Sequence, residues 1–177
     1  MWLLMQRPAN HESLDVNAPP QFLLPCPSSM IQTALALKCG ESVPVYLIDT
    51  SVFTRMRRAS VAEVMESLAP FDLRYSPITG LELRFSASNE TEWDLFSSAL
   101  AEYTREAVLS SDFERADSVQ RLLAKQGLKG RKPADLIIAA QAERLDLTVL
   151  HYDKDFEHIA SVTQQSQQWI VPRGTIG

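Results

Sequence analysis

One short stretch restricts the folds open to this chain more than any other. Pro44 precedes Val45-Tyr46-Leu47-Ile48, four residues of strand propensity, and a proline suits the first position of a strand. Asp49, Thr50 and Ser51 then interrupt the apolar run. Beyond them the pattern becomes helical, with Val52, Phe53 and Met56 on one face and Arg55, Arg57 and Arg58 on others. A buried strand that ends in an acid and turns directly into a helix puts a carboxylate at the carboxyl edge of a sheet. Open α/β folds bind their ligands at that edge. The stretch therefore predicts an acidic pocket around Asp49.

The rest of the chain repeats the alternation. Ser60-Val61-Ala62-Glu63 reads as a capping box opening a helix through Leu68, and Pro70 ends it. Residues 71–75 alternate like a short strand, and Thr79 is expected to start the next helix. Asn89-Glu90-Thr91-Glu92 opens another, with Trp93, Phe96, Leu100 and Tyr103 at helical spacing. A third strand is expected at residues 107–109, and Ser111-Asp112-Phe113-Glu114 opens a helix ending near Gly127. After a basic, glycine-bearing loop, Pro133 suits the first turn of a helix running to Leu145. Strands at residues 148–150 and 169–171 flank a loop and a short helix at residues 156–160. Such alternation implies a mostly parallel sheet with helices on both faces.

Residues 1–43 differ in character. Five of the ten prolines lie there, and periodicity is weak except over residues 30–37. They read as a flexible extension or a start-site artefact, with a partner-binding arm as the alternative; residues 44–177 form the folded domain. A chain of 177 residues has room for one domain with a real core. Its net charge of −5 provides no overall basic field for nucleic acid, although a local basic rim or a metal ion can supply attraction that the average hides. No apolar run reaches the length of a membrane-spanning helix, and the first residues lack the basic segment of a signal peptide. Two cysteines, Cys26 and Cys39, make no disulfide framework and point to a reducing cytoplasm.

Five acids share one geometric property. Asp49 follows the first strand, Glu82 lies early in the helix after the second, and Asp135 falls in the first turn of the helix from Pro133. Asp153 and Asp155 follow the fourth strand. In a parallel sheet all five lie on its carboxyl side. Each alone has an ordinary explanation as a turn former, a cap or a charge favoured by the helix dipole; together they are harder to explain that way. Clustered carboxylates repel one another unless a cation joins them, and hard oxygen ligands suit Mg²⁺ or Mn²⁺. The 22 acidic residues exceed the 17 Lys and Arg by five, the number in this cluster. Candidate phosphate contacts are Arg55, Arg57, Arg58, Arg84, Lys129, Arg131, Lys132 and Lys154, with the loop of residues 129–132 foremost because it leads into Asp135. His151 has no His/Cys zinc set around it, no nucleophile elbow, P-loop or dinucleotide fingerprint occurs, and Trp93 and Trp169 read as core residues.

On these residues the chain resembles the PIN-domain ribonucleases, and within them the VapC toxins of bacterial toxin–antitoxin pairs. The motifs that carry the resemblance are residues 46–51, 79–83, 134–140 and 150–156, with a closing Trp169-Ile170-Val171-Pro172-Arg173-Gly174 similar to actinobacterial members. The resemblance implies an α/β fold, a three-layer α/β/α sandwich around a five-stranded parallel sheet. It implies Asp49, Glu82, Asp135 and Asp153 as catalytic acids, with Asp49, Asp135 and Asp153 as metal ligands, Asp155 auxiliary and Ser51 a small hydroxyl beside the metal. It further implies cleavage of transfer or ribosomal RNA, a homodimer, and silencing by a cognate VapB-type antitoxin. The extension before Val45 departs from the family pattern, and His151 stands where many members have a threonine. Two other readings remain at this stage: a Mg²⁺-dependent receiver-type phosphotransfer domain, and a PIN-like module that binds without cutting.

Overall fold

The computed structural model describes residues 43–128 and 131–176. All of the expected extension except Val43, both cysteines, and Lys129 of the basic loop lie outside the described residues. In chain order the elements are β1 (Val45–Ile48), α1 (Thr50–Phe53), α2 (Ala59–Leu68), β2 (Asp72–Tyr75), α3 (Pro77–Phe85) and α4 (Glu90–Leu100). They continue with β3 (Thr104–Arg105), α5 (Ser110–Lys125), α6 (Pro133–Leu145), β4 (Thr148–His151), α7 (Asp155–Thr163) and β5 (Gln167–Trp169). The five strands form one sheet of order β3-β2-β1-β4-β5, and every pairing is parallel.

Alternation along the central strands separates the core into two layers. Leu47 of β1 lies opposite Val149 of β4, and both pack with Ala116, Val119 and Leu123 of α5 and with α6 and α7. One residue on, Ile48 lies opposite Leu150, and both pack with Val52 of α1, Val61 and Met65 of α2 and the tail residues Ile170 and Val171. Leu47, Ile48, Val149 and Leu150 are fully buried. Each such side chain contributes roughly 2 kcal/mol of transfer free energy, so both faces of the central pair must be covered by helices. The result is the expected α/β/α sandwich. No helix among the described residues is long and apolar enough to cross a membrane.

Several boundaries differ from expectation for identifiable reasons. Residues 107–109 are not a strand. The Ala107 carbonyl instead accepts hydrogen bonds from Gln141 Nε2 (3.1 Å) and Arg144 Nη2 (3.0 Å), both on α6. The ladder forms earlier, where Thr104 and Arg105 meet Arg74 and Tyr75. β5 begins two residues before the expected apolar run, with Gln167 opposite Val149, because Ile170 and Val171 are drawn into the core after pairing ends.

The expected caps also move. Helix α3 starts at Pro77 with Ser76 as its cap, accepting the Ile78 N–H, and Thr79 is buried inside the helix instead. Helix α2 is preceded by Arg58 without a side-chain cap, so the box read at Ser60 does not operate. Helix α5 starts at Ser110, and its cap contact is the Asp112 carboxylate accepting the Leu109 N–H at 2.8 Å. Asp155 is the first residue of α7, one position earlier than expected. Trp93 is 48% exposed rather than in the core, with the Arg84 guanidinium 5.2 Å above its ring.

Candidate metal centre

The strand order reverses direction between β1 and β4, and the chain leaves the sheet in opposite senses on the two sides of that junction. A crevice therefore opens beyond their carboxyl ends, at the topological switch point of an open α/β sheet. Asp49 sits at the tip of β1. Its backbone N–H donates to Leu150 O of β4 (2.9 Å), and its Oδ2 accepts the Ser51 N–H (2.8 Å), capping α1. Helix α3 is tied to the same strand end by the Thr79 hydroxyl, which donates to Ile48 O (3.3 Å). That tie brings Glu82, one turn on, to Thr50, whose hydroxyl donates to Glu82 Oε2 at 2.6 Å.

Asp135 lies in the first turn of α6, where the proline-initiated helix directs its N-terminus at the crevice. Asp153 follows β4. Its Oδ1 accepts the Asp155 N–H (3.0 Å), and its Oδ2 accepts Lys132 Nζ (3.1 Å). Carboxylate oxygens of Asp135, Asp153 and Asp155 lie within 4.8 Å of one another.

Asp49, Glu82, Asp135 and Asp153 share the wall of one cleft of about 570 Å³ with Thr50 and Ser51. Thr54, Arg55, Lys132, Tyr152, Leu81 and Phe85 complete its lining, and Phe85 is 91% exposed. The four acids expected as a set are thus brought together. Asp155 is buried behind them and pairs with Arg131 Nη1 at 2.7 Å. Ser51 lies on the cleft wall, but its Oγ accepts the Tyr152 N–H (2.8 Å) and so also joins α1 to the loop after β4.

The basic candidates divide. Lys132 and Arg55 line the cleft; Arg55 lies 4.9 Å above the Tyr152 ring and donates to Ser51 O (3.0 Å). Arg131 is turned inward to Asp155 and is off the cleft wall, because a buried carboxylate holds it more strongly than solvent does. Sequence reasoning missed Thr50, Tyr152 and Phe85. A hydroxyl directly after the strand-end acid is a usable signal for the first, whereas the other two depend on how loops fold over the edge.

Burial among like charges dominates the electrostatics. It pushes the carboxyl of Asp135 up to about 8, with the Asp49 charge next in importance and Lys132 opposing. Asp49 is raised as well, first by burial and then, against its bonds from Ser51, by Glu82. Asp153 moves the other way: burial pushes it up, but the Asp155 N–H and the Lys132 ammonium together outweigh that and hold it low. His151 is held below the ordinary imidazole range by burial.

This arrangement fits a hard divalent cation. Asp135 Oδ2 is buried without a hydrogen-bond partner among the described residues, which is costly for an oxygen facing only protein. The ligand atoms grouped with Asp135, from Asp153 and Asp155, are carboxylate oxygens, the chemistry preferred by Mg²⁺ and Mn²⁺.

A five-stranded parallel sheet with an acid cluster at its switch point fits a metal-dependent nuclease of the PIN type, and comparison with known proteins agrees. The PIN-domain family model matches residues 46–162. Ribonuclease VapC51 of Mycobacterium tuberculosis is 48% identical over 132 residues, covering 74% of this chain and 96% of that protein. Ribonuclease VapC18 of the same organism is 38% identical over 136 residues, covering 75% and 99%. Two solved complexes share the fold. VapBC2 from Rickettsia felis bound to promoter DNA gives a TM-score of 0.61 at 17% identity, over 71% of this chain and 98% of that one. VapBC-1 from nontypeable Haemophilus influenzae gives 0.59 at 24% identity, over 71% and 98%. The chain belongs to the PIN-domain family, and within it to the group of VapC ribonucleases: it is a metal-dependent hydrolase of that class. The receiver-type reading falls with this assignment.

Proposed function

We propose that the chain is a Mg²⁺- or Mn²⁺-dependent endoribonuclease that cuts structured RNA of the transfer or ribosomal class and acts as the toxin of a toxin–antitoxin pair in the cytoplasm. The observation that carries this reading is the convergence of four acids from β1, α3, α6 and the loop after β4 on one cleft, with Asp135 Oδ2 buried and unpaired. The names of the relatives, all VapC ribonucleases, support RNA as the substrate. Solved neighbours in complex with VapB proteins support a VapB-type antitoxin as partner, and a homodimer is the assembly we propose. The family match over residues 46–162 supports assigning the nuclease domain to residues 44–177, with residues 1–43 as an extension outside it.

Asp49, Asp135 and Asp153, which share the cleft wall, would hold the ion. Asp155, whose carboxylate is grouped with those of Asp135 and Asp153, would assist while keeping Arg131 and the Asp153 turn in place. A bound divalent ion supplies Lewis acidity toward a phosphoryl oxygen and a water. Glu82, oriented by the Thr50 hydroxyl, would accept the proton of the attacking water. Ser51 keeps α1 and the Tyr152 loop in register beside the acids. Lys132 and Arg55 would meet phosphates at the mouth, and Arg131 would reach RNA only by leaving Asp155. Lys129 is a further proposed RNA contact on its place in the sequence alone.

The test is incubation of purified protein with total RNA, with and without Mg²⁺, alongside the Asp49→Ala and Asp135→Ala variants. Discrete cleavage by wild type only with the ion, lost in both variants, is expected. Cleavage at the wild-type rate by both variants would overturn the reading.

A further inference from the structure

His151 ends β4, two residues before Asp153, and is fully buried. Its Nδ1 accepts the Asp153 backbone N–H at 3.1 Å, so that nitrogen carries a lone pair. The ring hydrogen therefore sits on Nε2, which faces Gln167 Oε1 of β5 at 2.6 Å. Phe156 and Trp169 pack against the ring in tilted contacts, with centroids 4.9 Å and 5.0 Å away. The imidazole is thus packed against two rings and bonded at both nitrogens, and one of its four neighbours is the backbone of an acid in the cleft.

We propose that His151 is a positioning residue for Asp153. The neutral imidazole, hydrogenated on Nε2 and anchored by Gln167, uses its Nδ1 lone pair to set the turn that delivers the Asp153 carboxylate to the ion. The inference rests on the reading above that Asp153 ligates the ion. It goes beyond that reading by giving a role to a buried polar side chain that touches neither substrate nor metal. A core histidine needs partners for its nitrogens, but it has no need of the backbone of a ligand. Outer partners of metal ligands change metal affinity because they determine where the ligand oxygen sits before the ion arrives.

Two substitutions separate positioning from packing. Asparagine places an acceptor near the Nδ1 position and loses the reach to Gln167; glutamine reaches toward Gln167 and loses the acceptor at Nδ1. Mn²⁺ binding to wild type, His151→Asn, His151→Gln and Asp153→Asn is measured by titration, following the free ion by electron paramagnetic resonance, with far-ultraviolet circular dichroism to check folding. His151→Gln is expected to weaken Mn²⁺ binding about tenfold or more, and His151→Asn to stay within about threefold of wild type. A pure packing role predicts the reverse order, since asparagine removes more volume.

Unchanged affinity in His151→Gln, or a larger loss in His151→Asn, overturns the proposal while a weakened Asp153→Asn leaves the metal-site reading standing. Wild-type affinity in Asp153→Asn overturns that reading and the proposal with it. ¹⁵N nuclear magnetic resonance of the wild-type protein gives a test that no variant's folding can affect. An unprotonated Nδ1 and a protonated Nε2 are expected, and the opposite tautomer overturns the proposal.

Discussion

Asp135 is where the cost of the site concentrates. In the unfolded chain its carboxyl ionises near the ordinary value of about 4. In the folded, ion-free protein burial and the neighbouring Asp49 charge push it up to about 8. Between those values the folded state holds a proton that the unfolded state does not, so stability falls as pH rises from about 4 to about 8 and levels off above. Asp135→Asn removes that dependence and should raise ion-free stability at pH 8 by as much as about 5 kcal/mol, measured by urea unfolding between pH 5 and 9 in a chelator. A variant as pH-sensitive as wild type would show that another group titrates. Thr50 offers a test that separates alignment from folding. Thr50→Val keeps the shape and removes the donor to Glu82. Single-turnover RNA cleavage should slow about tenfold, with the melting temperature nearly unchanged. Thr50 was open to a sequence reading, as a hydroxyl beside a strand-end acid; the inward turn of Arg131 was not, because its partner Asp155 lies 24 residues away.

At the scale of elements, α5 and α6 are clamped by a single buried carboxylate. Asp112, 1% exposed, accepts Arg144 Nε (2.7 Å) and Nη2 (3.0 Å) from α6 and the Leu109 N–H from its own helix start. These bonds hold its carboxyl below the usual range although burial pushes it up. Arg144→Ala leaves that charge buried with one backbone donor, and should cost about 3 kcal/mol or more in chemical unfolding. A loss under about 1 kcal/mol would mean that solvent reaches Asp112. Legibility also divides by element. β1, β4 and α6 could be read because a continuous apolar run or a starting proline announces each of them. β3 and β5 are short edge strands of exposed or polar residues, Thr104-Arg105 and Gln167-Gln168-Trp169. Their pairing is decided by the neighbouring strand's backbone, and the apolar residues that seemed to mark them belong to the core or to a loop.

For the whole molecule, the acid cluster makes folding and ion binding one problem. An ion that binds only the folded protein stabilises it by mass action, about 2.7 kcal/mol at a hundred times its dissociation constant. Mg²⁺ or Mn²⁺ should therefore raise the melting temperature over the chelated protein. Asp49→Asn should shrink that shift while raising the melting temperature of the ion-free form, since Asp49 contributes to the charge that raises Asp135. An undiminished shift would remove Asp49 from the ligand set. By itself the sequence determined the alternation of strands and helices, and with it the rule that acids following strands collect on one edge. Local propensity and apolar periodicity are written residue by residue. What only the tertiary structure decided is the arrangement within that edge: Asp135, Asp153 and Asp155 drawn together, Arg131 consumed behind them, and Thr50 and His151 set against their acids. Those contacts join residues far apart in the chain, or depend on which way a buried ring is held, and packing alone chooses among them.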